Sequence, residues 1–152
     1  DVSAAGHLAA GESVMAGARE ITEELGIEFA TEDLHFLGER VEVADLPDGY
    51  RNREFQSVFL LRHSVPLSGY RADPGEVEAL VWLPISDGYR LFDGSVVELT
   101  LSGYRFGPDK AWEPFEMAVS TESFVPRVQR YYVTALIMAE RLLAGLRPLA
   151  IS

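Results

Sequence analysis

Val14, Ala18, Ile21 and Leu25 recur with the 3.6-residue period that lines one face of a helix. Ser13 offers a capping oxygen before them, and Gly26 stands where a chain leaves a helix in a left-handed conformation. A helix is therefore predicted over Ser13–Leu25, with Gly17 costing about 1 kcal/mol relative to alanine. "DLHFLGERVEVAD" (Asp33–Asp45) reads as a strand, followed by a turn at "LPDGY" around Pro47 and Gly49. "REFQSVFLLRHSV" (Arg53–Val65) carries apolar residues on both faces and is predicted to be a central strand. A polar loop follows over Pro66–Gly75, then a strand over Glu76–Ile85 and a short helix or turn at "SDGYRLFDG". Ser95–Ser120 has no clear period, although "VVELTLSGYRF" suits a strand. The last apolar stripe predicts a long helix from about Pro126 to Leu143, ended at Ala144–Gly145. Interspersed strands and helices place the chain in the α/β or α+β class.

The 152 residues suit one domain with a sizeable core, and 47% hydrophobic with 24% charged residues is ordinary for a globular protein. Charge changes the picture more. Asp plus Glu number 24 against 13 Lys plus Arg, a net charge of -11 that repels nucleic-acid backbones and argues against a duplex partner. A small phosphorylated substrate would then need metal cations or a local basic patch. The absence of cysteine excludes disulfides, thiolate metal sites and cysteine nucleophiles, and fits a reducing, cytoplasmic setting. No run of 18 apolar residues suggests a membrane span, and the first residues lack the pattern of a secretion signal.

Glu20, Glu23 and Glu24 fall within an arc of about 100° on the first predicted helix, away from its apolar stripe. Taken alone, such a cluster suits a solvated face. The sharper alternative is a divalent cation, since metal binding relieves the repulsion between carboxylates and Mg²⁺ prefers their oxygens.

The spacing adds to this. In "GHLAAGESVMAGAREITEELGI", Gly6 is followed after five residues by Glu12, and "REITEELGI" begins at Arg19. The pattern resembles the Nudix box, G-x5-E-x7-R-E-U-x-E-E-x-G-U with U a bulky aliphatic residue. One feature departs: six residues, not seven, separate Glu12 from Arg19. A residue lost inside a helix turns Glu12 by about 100° from the glutamate face, whereas one lost in a loop does less. The resemblance implies a Nudix-like α/β/α sandwich with a mixed sheet, formed as a single domain over residues 1–152. In that family two or three strands precede the box, so it also implies sheet strands ahead of this segment. It implies further a hydrolase that cleaves a diphosphate linkage in a nucleoside diphosphate derivative, using Mg²⁺ or Mn²⁺. Metal positions would be Glu20, Glu23, Glu24 and Gly6, with Arg19 orienting the glutamates.

"DVSAAGH" and "NREFQSVF" look like the branch containing type-I isopentenyl-diphosphate isomerase. There a catalytic cysteine precedes a Gly-His pair; here Ala5 precedes Gly6-His7, so hydrolysis is expected and isomerisation is not. His7 then suits either a metal ligand or a hydrogen-bonded structural histidine. Glu54 stands where the branch carries a metal-binding catalytic glutamate, and Glu23 could share the base role. A surface role for Glu54 is the plain alternative. Glu76 and Glu78 are weaker candidates for the base, and Trp82 suits the core better than a substrate stack. Arg51, Arg53 and Arg62 suit solvated or salt-bridged roles. Tyr131, Tyr132, Leu136, Met138 and Leu142 suit the core or a partner surface, as in a homodimer. Two other readings stay open: a catalytically weak Nudix-like binding or regulatory module, and an unrelated α+β structural protein.

Overall fold

The computed structural model describes residues 2–45, 51–127 and 129–151, and the turn expected at 46–50 lies outside them. Helices α1 (Val14–Gly17), α2 (Arg19–Leu25), α3 (Ile85–Phe92) and α4 (Tyr131–Leu143) alternate with strands β1 (Leu34–Asp45), β2 (Arg51–Leu61), β3 (Ala79–Val81), β4 (Glu98–Phe106) and β5 (Trp112–Ser120). The class is α+β. The strands form a two-stranded sheet, β1-β2, and a three-stranded sheet in the order β3-β4-β5. The chain divides into two compact units. Among the described residues no helix is long and apolar enough to cross a membrane.

The first unit comprises Asp1–Ala30, His63–Leu83 and Thr100–Val119. The single helix expected over Ser13–Leu25 is interrupted at Ala18, which serves as the last cap of α1 and the first of α2. The amides of Ala16, Ala18 and Ile21 each bond three residues back, to Ser13, Met15 and Ala18, so the backbone is tightened there. Leu8 presses on the same spot: a Cβ at Gly17 would lie 2.4 Å from its Cδ2. Gly26 ends α2 at φ 61°, and a Cβ there would lie 2.0 Å from the Arg71 carbonyl oxygen, so both conformation and space demand glycine. The close approach is part of a docking contact. Arg71 N–H donates to the Leu25 carbonyl (3.2 Å) and Asp73 N–H to that of Glu24 (2.8 Å), which fixes the 71–76 loop on the end of α2.

The strand expected over Glu76–Ile85 shortens to β3, because Pro84 caps α3 and Ile85 already belongs to it. β3 and β4 are antiparallel, with Leu80 opposite Tyr104 and Val81 opposite Gly103. The ambiguous Ser95–Ser120 stretch contains the β4–β5 hairpin. Its turn places Lys110 at φ 60° and bonds Lys110 N–H to the Gly107 carbonyl (2.9 Å). Pro114 obscures the strand pattern, and it is tolerated because β5 is an edge strand.

The second unit comprises Thr31–Arg62, Pro84–Leu99 and Ser120–Ser152. β1 and β2 are antiparallel with a register shift between Phe36 and Gly38. β2 is not central among the described residues: it pairs with β1 alone, and Phe55, opposite Val41, is 85% exposed. Leu37, Tyr131 and Ile151 form the core, with Val58, Leu60, Tyr132 and Met138 packed around them. The last helix begins five residues later than expected, since Pro126 lies before it and Arg130 is its cap. α3 packs on α4 through Gly88, where a Cβ would lie 2.6 Å from Leu136 Cδ1. Tyr89 Oη also donates to Glu140 (2.9 Å).

Candidate active site

The box residues lie in the first unit, and Arg19 is their hub. Its guanidinium pairs with Glu12, with Glu20 at 3.0 Å and with Glu23 at 3.6 Å. Glu12 is therefore not turned away by the residue missing from the box. The tightened backbone around Ala18 explains part of this, because about 120° per residue in a 3₁₀ turn recovers angle that about 100° per residue would lose. Glu12 also closes its own loop by accepting the Ala9 amide at 2.8 Å.

Glu24 faces a different set of partners. Its carboxylate accepts the Ala5 amide, and burial pushes its pKa up, with the negative charges of Glu20 and Glu76 adding to the shift. Glu20 and Glu24 are one helical turn apart, and both meet the Ala5–Gly6 segment. A Cβ on Gly6 would lie 2.3 Å from Glu20 Cγ, so only glycine lets the backbone rest there. The result is a pair of carboxylates beside a glycine backbone, in which burial, and after it the charges of Glu20 and Glu76, raises the pKa of Glu24. That composition fits a hard divalent cation such as Mg²⁺ or Mn²⁺. Arg19 draws Glu23, 59% exposed, to its own side. Among the described residues no three His, Asp or Glu side chains are gathered as a ready-made metal site. His7 is exposed.

Glu76 is brought into electrostatic reach of Glu24 by the docked 71–76 loop, a long-range proximity no local spacing signals. Trp82, expected in the core, is 67% exposed at the end of β3. Arg51, Arg53 and Arg62 are exposed.

Glu54 belongs to the second unit, half-buried on β2 and directly opposite Glu42 on β1. Gln56 Nε2 donates to its Oε2 at 2.8 Å, and Arg40 Nη1 donates to Gln56 Oε1 at 2.9 Å. Arg40 also pairs with Glu42 at 2.5 Å, the two side chains being 3% and 2% exposed. Arg127 reaches Glu42 at 3.6 Å, and Arg40 stacks over the Tyr131 ring 4.7 Å from its centroid. Sequence reasoning missed this buried network, because charges at alternate strand positions are the usual mark of a wet face.

A glycine-led loop, an arginine-centred carboxylate cluster and an acidic helix face thus stand together in the first unit of an α+β chain. The NUDIX domain model matches residues 2–98, and the chain belongs to the Nudix family. It is similar to an uncharacterised Nudix hydrolase of Clostridium acetobutylicum, 28% identical over 87% of this chain and 64% of that protein. It is also similar to Nudix hydrolase 3 of Arabidopsis thaliana, 32% identical over 60% of this chain and 12% of that protein. The chain thus spans less than two thirds of each relative's length. No solved structure matches it.

Proposed function

We propose that residues 1–152 act as one domain that hydrolyses a diphosphate linkage in a small nucleoside diphosphate derivative, with Mg²⁺ or Mn²⁺. The observation that carries this is the seating of Ala5–Gly6 against Glu20 and Glu24. Glu20, Glu24 and the Gly6 carbonyl would hold the cation, and Glu23 would join them on leaving Arg19. Bound there, the cation supplies charge neutralisation for the diphosphate and acidifies the attacking water. Arg19 keeps Glu12, Glu20 and Glu23 on one side of the helix, so that the carboxylates do not scatter.

The base that takes the water's proton is Glu54 or Glu76. Gln56 and Arg40 hold the first in one orientation, and the docked loop brings the second toward Glu24. Within the family we place the chain beside the isopentenyl-diphosphate isomerase branch, on the strength of "AGH" and "NREFQSVF". Ala5 has no proton to give, so the reaction is hydrolysis. A second reading, a weakly catalytic binding module, draws on Arg19 engaging three of the carboxylates. Turnover on a panel of nucleoside diphosphate derivatives, with Mg²⁺ and with chelator, separates the two. The hydrolase reading requires Mg²⁺-dependent release of a monophosphate that Glu24→Gln abolishes, and it falls if no member of the panel is cleaved.

A further inference from the structure

A cleft of about 770 Å³ opens on the β3-β4-β5 sheet of the first unit, a volume in the range of small-ligand sites. Its walls are Leu67, Trp82 and Phe115, and its floor is Ser102–Tyr104. The cleft is built rather than incidental. Trp112 Nε1 donates to the Leu67 carbonyl (2.9 Å), which clamps one wall, and the Trp112 ring stacks on Tyr104 at 6.0 Å. Trp82 N–H donates to the Ser102 carbonyl (3.0 Å), which fixes the opposite wall. Gly103 keeps the floor flat: a Cβ there would lie 2.2 Å from the Leu80 carbonyl oxygen and 3.0 Å from the Phe115 ring. Above that floor Trp82 is 67% exposed, a large flat surface in an accessible recess.

The polar group at the rim is Glu116, whose Oε1 lies 3.5 Å from Ser102 Oγ. A carboxylate repels phosphate and accepts N–H donors, so the cleft suits the uncharged, planar end of a ligand. Chain geometry ties it to the box. Leu67 precedes Arg71 by four residues, a reach of at most roughly 14 Å, and the Arg71 amide is bonded to the end of α2 beside Glu24. A nucleoside diphosphate can bridge such a distance.

We propose that this cleft binds the base of the substrate, stacked on Trp82 with its donor edge toward Glu116, and that it selects guanine. Guanine presents two N–H groups, N1–H and N2–H, on one edge, which match the two oxygens of a carboxylate. Adenine pairs its one amino group with a ring acceptor that a carboxylate repels. The proposal deepens the hydrolase reading and rests on it for the identity of the ligand.

Calorimetric titration of the whole chain with GMP and AMP in EDTA tests it without any hydrolysis. GMP should bind at least about tenfold more tightly than AMP. Trp82→Ala should weaken GMP binding roughly 5- to 150-fold while leaving the far-UV spectrum intact, and Trp82→Phe should restore most of it. Glu116→Gln should erase the preference for GMP without weakening AMP. Equal binding of GMP and AMP overturns the proposal, as does undiminished GMP binding by Trp82→Ala. So does capture of a proline-rich peptide with no nucleotide binding. GMP selection without pyrophosphate cleavage would uphold the cleft and remove the hydrolase reading; cleavage without base preference would do the reverse.

Discussion

Glu42→Gln removes one charge from a deeply buried ion pair at almost constant volume. In the native protein Glu42 and Arg40 are 2% and 3% exposed and 2.5 Å apart, with Arg127 at 3.6 Å. The variant leaves two guanidinium groups facing a neutral amide out of water. Breaking such a pair from one side costs about 3–5 kcal/mol. One gain offsets part of this, because Glu54 sits directly across the sheet and its repulsion with Glu42 disappears. A like-charge cross-strand pair is worth only about 0.2–1 kcal/mol, so the loss wins. With about 2–5 kcal/mol left, at about 2–4 °C per kcal/mol for a chain of this size, the melting temperature should fall by roughly 4–20 °C.

Thermal and urea unfolding followed by circular dichroism would measure it. The double variant Arg40→Met with Glu42→Leu should recover part of the loss, since it removes the buried Arg40 charge along with Glu42 while Arg127 keeps its own. A Glu42→Gln protein within about 1 kcal/mol of the parent, or a double variant no better than the single one, would refute this account of the network.

Glu24→Gln should weaken Mg²⁺ binding and turnover together, read by metal titration and initial rates. The raised pKa of Glu24 means that the fold holds its proton more tightly than the unfolded chain does. Metal-free stability is therefore lost as pH rises from the unfolded value of about 4.5 through the raised one, and Glu24→Gln should flatten that part of the pH–Tm curve. Apparent Mg²⁺ affinity has the opposite sign, falling as pH drops through the raised pKa because the cation must displace the proton. Glu54→Gln should lower turnover by at least about a hundredfold if Glu54 is the base; if the rate survives and Glu76→Gln loses it, the base is Glu76. Purified protein should produce no dimethylallyl diphosphate from isopentenyl diphosphate, and detecting that product by chromatography would show that Ala5 does not bar isomerisation.

Much of the fold was legible where local pattern and tertiary environment agree. β1 was expected from Asp33 and starts at Leu34, and Gly26 ends α2 as its position promised. Expectation failed where packing overrode local preference. Nothing in a 3.6-residue stripe announces that Leu8 will press on Gly17, so the break at Ala18 was invisible. β2 carries apolar residues on both faces, yet Phe55 is exposed, because the pattern records which faces are apolar and not which of them is covered. Pro126 marked a plausible helix start, but the chain turns helical only at Tyr131, whose ring is buried beneath Arg40 and Arg127.

The site divides along the same line. Arg19 and the box glutamates are close in sequence, so their spacing alone brought them to one helix, and the structure adds only that Arg19 gathers Glu12 as well. Glu76 and Trp82 are distant in sequence from the box, and their significance depends on the 71–76 loop bonding to the end of α2. The same loop explains why Gly26 serves two purposes: a side chain there would push away Arg71 and with it Glu76, whose charge adds to the effect of burial on the Glu24 pKa. Gly26→Ala therefore tests the coupling between fold and site. A left-handed alanine alone costs roughly 1–2 kcal/mol, and the clash with the Arg71 carbonyl must add to that. If the loop matters for metal binding, Gly26→Ala should weaken Mg²⁺ binding as well as stability, whereas alanine at Gly11, also at positive φ but with open space around it, should cost stability alone. Equal Mg²⁺ affinity in the two variants would show that the carboxylates are placed by the helix without help from the loop.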